Sequence, residues 1–218
     1  TPAGPLRLRD MSRSELPPAA KFVRSLLPLP PPPIDSSIGS RIKPFSASDL
    51  TGRLRLNHRG VDRPLSLWYF CPRLADSDSR DQDLIRTLQT LNTLLAVTTN
   101  AAGEALRPIA FGDRKSLLML QQHATGGAWL LVDDSENQLA QLLKPPPGGY
   151  ALTATDGRIH WLGSPEQPGD VESLSNILRD TLAGTDVPKQ LRDRWQEDRK
   201  AYEEALRSFT TDPPLSLR

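Results

Sequence analysis

The sequence predicts an α/β fold: a three-layer α/β/α sandwich around a mixed central sheet. The run Leu65–Phe70 is almost wholly apolar, which is typical of a central strand covered on both faces. Residues 150–162 predict a hairpin, because Asp156-Gly157 supplies the positive φ angles of a tight turn. Between them, apolar residues recur at helical spacing over residues 79–95. Strand, crossover helix and hairpin together indicate the fold class.

Shorter patterns predict the other elements in chain order. Further strands are expected at residues 54–56, 94–98, 107–111 and 128–132. Further helices are expected over residues 113–123, 135–143 and from residue 170 onward, with Asp113 and Asp170 as N-terminal caps. In the first of these helices, Leu117, Leu118 and Leu120 are expected to face the core.

Both ends of the chain differ from the central part. Residues 1–37 contain nine prolines, a composition typical of an extended polyproline arm or linker. This arm is either a spacer or a ligand for a partner's aromatic groove. Residues 185–218 predict an extra helix, with Pro188 in its first turn. The predicted domains are therefore an arm at 1–37, a folded domain at 38–184 and a helical extension at 185–218.

The opening of the domain carries the first family resemblance. Between Ile38 and Gly52, a glycine and Pro44-Phe45 precede an expected edge hairpin. This resembles the opening segment of the alkyl hydroperoxide reductase and thiol-specific antioxidant group, the peroxiredoxin-like proteins. The order of elements over residues 38–184 likewise resembles the thioredoxin-like fold. The resemblance implies a sheet with a redox site at the end of its first central strand.

The expected redox motif is incomplete. Thioredoxins carry Trp-Cys-x-x-Cys, where a helix N-terminus lowers the thiol pKa. Here Cys71 follows strand Leu65–Phe70, but Leu74 replaces the second cysteine. Because the sequence contains one cysteine, an intramolecular dithiol cycle within it is impossible.

The peroxiredoxin motif, Pro-x-x-x-Thr/Ser-x-x-Cys, is also degenerate. Pro64 lies seven residues before Cys71, but Trp68 occupies the position of the peroxide-binding hydroxyl. The resemblance further implies a cis-proline facing the thiol, and Pro147 is its nearest match. A cis Pro147 would preserve peptide docking beside Cys71 without catalysis.

Cys71 therefore has two interpretations. It is either an inert thiol at a strand end or a reactive nucleophile. Arg73 favours the thiolate, whereas Asp76 and Asp78 oppose it. The balance favours inertness, so Cys71 remains the only catalytic candidate, and whether the protein is an enzyme stays open.

Composition argues against several other functions. The 27 basic and 26 acidic side chains nearly cancel, so no broad positive field for nucleic acid or anionic membranes is expected. No apolar run approaches the roughly 18 residues of a membrane-spanning helix. His58, His123 and His160 lack metal-ligand spacing, and no phosphate-binding glycine motif is present. We therefore expect neither a metal nor a cofactor.

These observations favour a non-catalytic protein-binding or assembly module. The alternative is a single-cysteine thiol peroxidase or thiol-disulfide oxidoreductase that uses Cys71. A third possibility is self-assembly as a homodimer through the C-terminal helix. The chain begins with Thr1, so either a leader has been removed or the sequence has been trimmed; the expected location is periplasmic or secreted, with the cytoplasm as the alternative. The predicted partner-binding residues are Trp68, Pro72, Arg73, Pro147, Trp195 and Tyr202.

Overall fold

The structure of the chain is a computed structural model. It describes residues 30–31, 33–53, 55–57, 63–74, 80–123, 129–136, 138–143, 148–164 and 170–211. The chain divides into two compact units: Ile34–Arg192, and Thr1–Pro33 with Asp193–Arg218. The domain boundaries expected at residues 37 and 184 remain predictions.

Seven strands and five α-helices make up the described elements. The strands are β1 (Ser46–Ser48), β2 (Arg55–Asn57), β3 (Leu65–Phe70), β4 (Leu106–Gly112), β5 (Leu130–Asp133), β6 (Tyr150–Ala154) and β7 (Ile159–Gly163). The helices are α1 (Arg80–Ala102), α2 (Arg114–His123), α3 (Gln138–Leu143), α4 (Asp170–Leu182) and α5 (Val187–Thr211). A short 3-10 turn, Gly103–Ala105, joins α1 to β4.

The larger unit is built on a mixed five-stranded sheet in the order β5-β4-β3-β6-β7. Parallel pairing joins β3 to β4 and β4 to β5, whereas β6 and β7 run antiparallel to their neighbours. The helix α1 connects the parallel pair β3 and β4, as a crossover must. Gly157, at φ +77°, makes the turn between β6 and β7. The predicted α/β class, mixed sheet and Asp-Gly hairpin are confirmed.

The central strand β3 is buried on both faces. Leu65, Leu67 and Tyr69 face a core that α1, α2 and α4 complete. Trp68 and Phe70 face a second core on the other side of the sheet. Because side chains alternate along a strand, a continuous apolar run serves both cores at once.

The second face of the sheet is covered differently from the first. The helix α3 contributes Leu139 and Leu143, and the remaining cover comes from the crossing segment, defined as residues 38–53 and 55–57. This segment includes the predicted edge hairpin, in which β1 pairs antiparallel with β2. The third layer is thus partly a helix and partly an irregular segment with a hairpin.

The crossing segment also pairs with both edges of the sheet. Gly39 N donates to Ile159 O at 2.7 Å on the β7 side. Leu50 N donates to Leu131 O at 3.0 Å on the β5 side. Paired edges are poor templates for adding another strand. A partner of this unit would therefore have to contact side chains rather than extend these parts of the sheet.

Two sequence predictions within the larger unit are wrong. Residues 94–98 were expected as a strand, but they belong to α1, which continues to Ala102. Leu94 is fully buried against the core, and Thr98 Oγ1 donates to Leu94 O at 2.8 Å, a bond that a helix allows. Leu118 was expected in the core, but 41% of it is exposed because α2 buries only the face with Leu117 and Leu120.

The start of α5 is part of the larger unit. Asp186 Oδ1 accepts a hydrogen bond from Lys189 N at 3.2 Å, which caps the helix. Val187 is buried in the core and Leu191 packs against it. Gly39, at φ +85°, lies so close to Pro188 and Arg192 that a side chain at residue 39 would collide with them. The positive φ, which side chains other than glycine rarely adopt, is the reason that this position favours glycine.

Candidate functional site

The candidate site lies where β3 ends. Cys71 N donates to Phe111 O at 2.8 Å, so the residue after β3 is fixed to the end of β4. Phe70 N donates to Gly149 O at 2.9 Å, which brings the turn before β6 to the same place. The structure therefore places Gly149 next to the end of β3. Pro147 lies outside the described residues, and its cis peptide bond stays a prediction.

The thiol of Cys71 is directed to the sheet face that carries the first core. Its side chain packs against that core, and a Cβ placed on Gly112 would lie 3.1 Å from Cys71 Cβ. Burial raises the pKa of the Cys71 thiol far above its ordinary value, and the negative charge of Asp113 raises it further. A hydrogen bond at the Cys71 backbone acts in the opposite direction but is the weaker influence. Cys71 as a whole is half-buried, and burial and the charge of Asp113 both favour the protonated thiol over the thiolate.

A polar network links the chain after β3 to the start of α2. Ser116 Oγ accepts a hydrogen bond from Leu74 N at 3.1 Å and donates to Asp113 Oδ2 at 2.6 Å. Asp113 Oδ1 accepts from Ser116 N at 3.0 Å, which confirms Asp113 as the predicted cap of α2. Sequence analysis missed Ser116, because no local pattern indicates that its hydroxyl accepts the amide of Leu74 from another segment.

The electrostatics of this network follow from its hydrogen bonds. Burial alone would raise the pKa of Asp113, but bonds from the Ser116 hydroxyl and from the Ser116 and Lys115 amides lower it. The positive charge of Arg73 lowers it as well. The net result is a pKa below the ordinary aspartate value, so Asp113 is ionised and opposes a thiolate at Cys71.

The predicted partner-binding residues near Cys71 differ in accessibility. Trp68 is completely buried, with its ring 5.5 Å from the Phe45 ring and 5.2 Å from the Phe111 ring. It cannot contact a partner in this conformation, and it shapes the core beneath the site instead. Pro72 is half-buried and Arg73 is exposed. A strand covered on both faces, as predicted for residues 65–70, already implies a buried Trp68, and the structure adds that Phe45 of the crossing segment covers it.

The other two predicted partner-binding residues, Trp195 and Tyr202, lie on the part of α5 that belongs to the smaller unit. Both are half-buried. The Arg199 guanidinium lies 5.5 Å from the Trp195 ring, and its Nε donates to Glu203 Oε1 at 2.9 Å. The Arg199 cation thus contacts both the Trp195 ring and the Glu203 carboxylate, and the three side chains form one cluster on the helix surface.

Two further findings concern metals and membranes. Within the described ranges, no three His, Cys, Asp or Glu side chains cluster as a metal site would require. In the same part of the chain, no helix combines the length and apolar content needed to cross a bilayer.

Comparison with known proteins supports the fold. No protein-family model matches the chain, and no curated protein matches it either. Similar solved structures include an uncharacterized conserved protein from Geobacillus kaustophilus, at 12% identity over 69% of this chain and 85% of that one, with a TM-score of 0.52. At this identity the likeness concerns the fold alone.

Two other similar structures have names that describe their class. A thioredoxin-like protein from Aeropyrum pernix has 13% identity over 61% of this chain and 88% of that one, with a TM-score of 0.46. Peroxidoxin BcpB from Mycobacterium tuberculosis has 12% identity over 66% and 96%, with a TM-score of 0.48. The strand order and the crossover topology define a thioredoxin-like fold. Within that class, the neighbours of this chain include a peroxiredoxin-like protein.

Proposed function

We propose that this thioredoxin-like chain is a non-catalytic protein-binding or assembly module whose redox site has been vacated. The observation that carries this proposal is the environment of Cys71. Its side chain packs against the core beside Gly112, and both burial and the charge of Asp113 raise its pKa. A thiol held in its protonated form cannot attack a peroxide or a disulfide efficiently at neutral pH.

The binding surface we propose is the exposed rim of the same site. Arg73 is exposed, Pro72 is half-buried, and Gly148 belongs to the adjoining turn. Because the crossing segment already pairs with both edges of the sheet, a partner would contact this rim through side chains. Trp68 is left out of the proposed contact surface because it is fully buried.

A second proposed surface is the aromatic side of α5. Trp195 and Tyr202 are seven positions apart and thus lie on one side of the helix, about two turns from each other. Such a stripe suits either a protein partner or a second copy of the chain. A periplasmic or secreted location also remains our prediction, and cell fractionation with a matched cytoplasmic marker would test it.

Thiol alkylation tests the proposed loss of catalysis. The full chain is treated with iodoacetamide from pH 6 to 10, and labelling of Cys71 is followed by mass spectrometry. We expect labelling at neutral pH only after unfolding in urea, and no sulfenic acid after hydrogen peroxide treatment. The control is Cys71→Ser, which must show neither product.

The opposite outcome favours the alternative function. Rapid labelling of the folded chain near pH 7, together with sulfenic acid formation at Cys71, would indicate a single-cysteine thiol peroxidase or oxidoreductase. The unfolded sample shows that the reagent reaches an accessible thiol, so a lack of labelling cannot come from a failed reaction.

A further inference from the structure

The start of α5 is joined to two other parts of the larger unit. Gly39 of the crossing segment lies against Pro188, and its amide donates to Ile159 O in β7 at 2.7 Å. Arg158, in the turn of the β6–β7 hairpin, has its Nη2 3.0 Å from Oδ1 of Asp186, the residue that caps α5. We refer to this meeting point of Gly39, Arg158, Asp186 and Pro188 as the α5 joint.

A buried histidine lies beside the α5 joint. His160 in β7 is only 9% exposed, and its Nδ1 is buried without a hydrogen-bond partner among the described residues. A neutral imidazole carries one ring N–H, whereas the protonated ring has a donor at both nitrogens. Because an unpartnered buried group costs more free energy when it is charged, this environment favours the neutral ring. The α5 joint therefore fits only one of the two protonation states of His160.

Charged groups from the neighbouring elements act on His160. Burial is the largest influence, and together with the positive charge of Arg158 it lowers the pKa of His160. Asp156 in the turn and Asp186 before α5 act in the opposite direction. The crossing segment adds Arg41, whose guanidinium lies 3.6 Å from the Asp156 carboxylate and offsets part of its charge. The positive end of the α5 dipole also disfavours an imidazolium at this place.

The two helices near β7 supply no further acceptor for a charged ring. The helix α4 contacts β7, but within the described ranges none of its charged side chains is among the groups that shift the pKa of His160. The first turns of α5 carry the exposed cations Lys189 and Arg192, and the Nε of Arg192 donates to Pro188 O at 3.1 Å. Asp156 and Asp186 are therefore the carboxylates to which a protonated His160 is attracted.

Asp186 already holds the α5 joint together. Its Oδ1 accepts a hydrogen bond from Lys189 N at 3.2 Å, and its Oδ2 accepts one from Arg158 Nη2 at 3.3 Å. Desolvation alone would raise the pKa of Asp186, but these two bonds and the charge of Arg158 lower it. Asp186 is therefore ionised at the pH at which His160 gains its proton. A new bond from the imidazolium to Asp186 would compete with the helix cap and with Arg158.

We propose that His160 is an acid-sensitive switch, whose protonation releases the start of α5 from the crossing segment and the β6–β7 hairpin while the central sheet stays folded. The charged ring either draws Asp186 away from the α5 cap or moves out toward water, and both movements loosen the α5 joint. Val187, which is 2% exposed in the closed joint, then becomes accessible to solvent. This switch lies within the larger unit and does not depend on the proposed binding function.

Hydrogen exchange of the full chain tests the proposal. The ring signals of His160 and the protection factors of single amides are measured by NMR between about pH 7.5 and 4.5. We expect the amides of Gly39 and Gln190, which bond to Ile159 O and Asp186 O, to lose protection about tenfold or more as His160 titrates. The central amides of β3 should keep theirs. Unchanged protection at Gly39 and Gln190, or an equal loss throughout β3, would overturn the proposal.

Substitution of the histidine assigns the switch. His160→Gln should keep Gly39 and Gln190 protected over the whole pH range, because glutamine does not gain a proton. His123→Gln, at an exposed residue of α2, is the matched control and should behave like the wild type. Loss of protection in His160→Gln at the same pH as in the wild type would show that another group causes the release.

Asp156→Asn keeps the proposal testable even if His160→Gln folds poorly. Asparagine retains an oxygen that can accept the Arg158 amide, and it suits a turn before glycine. The substitution removes a negative charge that favours protonation of His160. The ring titration and the loss of amide protection should therefore both move to lower pH, by the same amount. Midpoints that separate, or that both stay where they are in the wild type, would contradict the proposal.

Discussion

Ser116 Oγ accepts a hydrogen bond from the backbone amide of Leu74 at 3.1 Å, although the two residues are 42 positions apart. The same hydroxyl donates to Asp113, which caps α2. The chain leaving β3 is therefore tied to a helix start by one buried side chain. The backbone that follows Cys71 is thereby fixed, and the Cys71 side chain packs against the first core.

Ser116→Ala should destabilise the protein by about 1 to 3 kcal/mol, because it leaves the buried Leu74 amide without its acceptor. Urea unfolding measures the change. Ser175→Ala is the matched control, since Ser175 Oγ accepts only an exposed bond from Arg179, and it should change stability by less than about 0.5 kcal/mol. Equal effects of the two substitutions would show that the Leu74 bond is unimportant.

The stability contributed by Asp113 should disappear in acid. Its pKa is lowered in the folded state, so it stabilises the fold above the unfolded aspartate pKa of about 3.9. This contribution is lost as the pH falls through the folded value. Asp113→Asn should therefore be less stable than the wild type at pH 7, with a difference that shrinks toward pH 3. Urea unfolding at both pH values measures the difference in unfolding free energy. A difference that grows toward pH 3 would contradict a lowered pKa of Asp113.

His160 should add a second pH dependence nearer neutrality. Burial lowers its pKa, as does the positive charge of Arg158, while Asp156 and Asp186 act against them. The folded pKa lies below the unfolded value of about 6.5, so folding is favoured above that value and weakened as the pH falls through the folded pKa. His160→Gln should remove this pH dependence in thermal unfolding, whereas the exposed His123→Gln should retain it. Direct NMR titration of the two histidines provides an independent check.

The proposed homodimer predicts that removal of residues 193–218 abolishes self-association. The cut follows Arg192 because Val187 and Leu191 pack with the core of the larger unit. Sedimentation should give a monomer, and circular dichroism should retain the α/β signal. Trp195→Ala with Tyr202→Ala in the full chain should weaken the dimer without altering the fold. A dimer that survives both changes would exclude α5 as its interface.

Sequence patterns predicted the elements whose formation depends on residues that are close together in the chain. Leu65–Phe70 is a strand because its unbroken apolar run fits a doubly buried position, and the structure gives the same boundaries. Asp156-Gly157 makes a turn because glycine tolerates positive φ, and Gly157 has φ +77°. Asp113 caps α2 through a carboxylate bond to an amide three residues later.

The same patterns failed where distant contacts decided the outcome. Residues 94–98 carry apolar and β-branched side chains that fit a strand or a buried helix equally well. Packing of Leu94 in the first core keeps them in α1. The neighbour that covers Trp68 was equally hidden, because Phe45 reaches it from the crossing segment.

The amino-acid order by itself determined the strand, the tight turn, the helix cap and the loss of the second cysteine, since each depends on neighbours within a few positions. Only the tertiary structure decided the state of Cys71. Cys71 is half-buried because Gly112 and the first core, to which Leu117 belongs, pack around the place where β3 ends. Desolvation depends on everything that surrounds a group in space, so the raised pKa of this thiol appears only once the sheet and its helices have assembled.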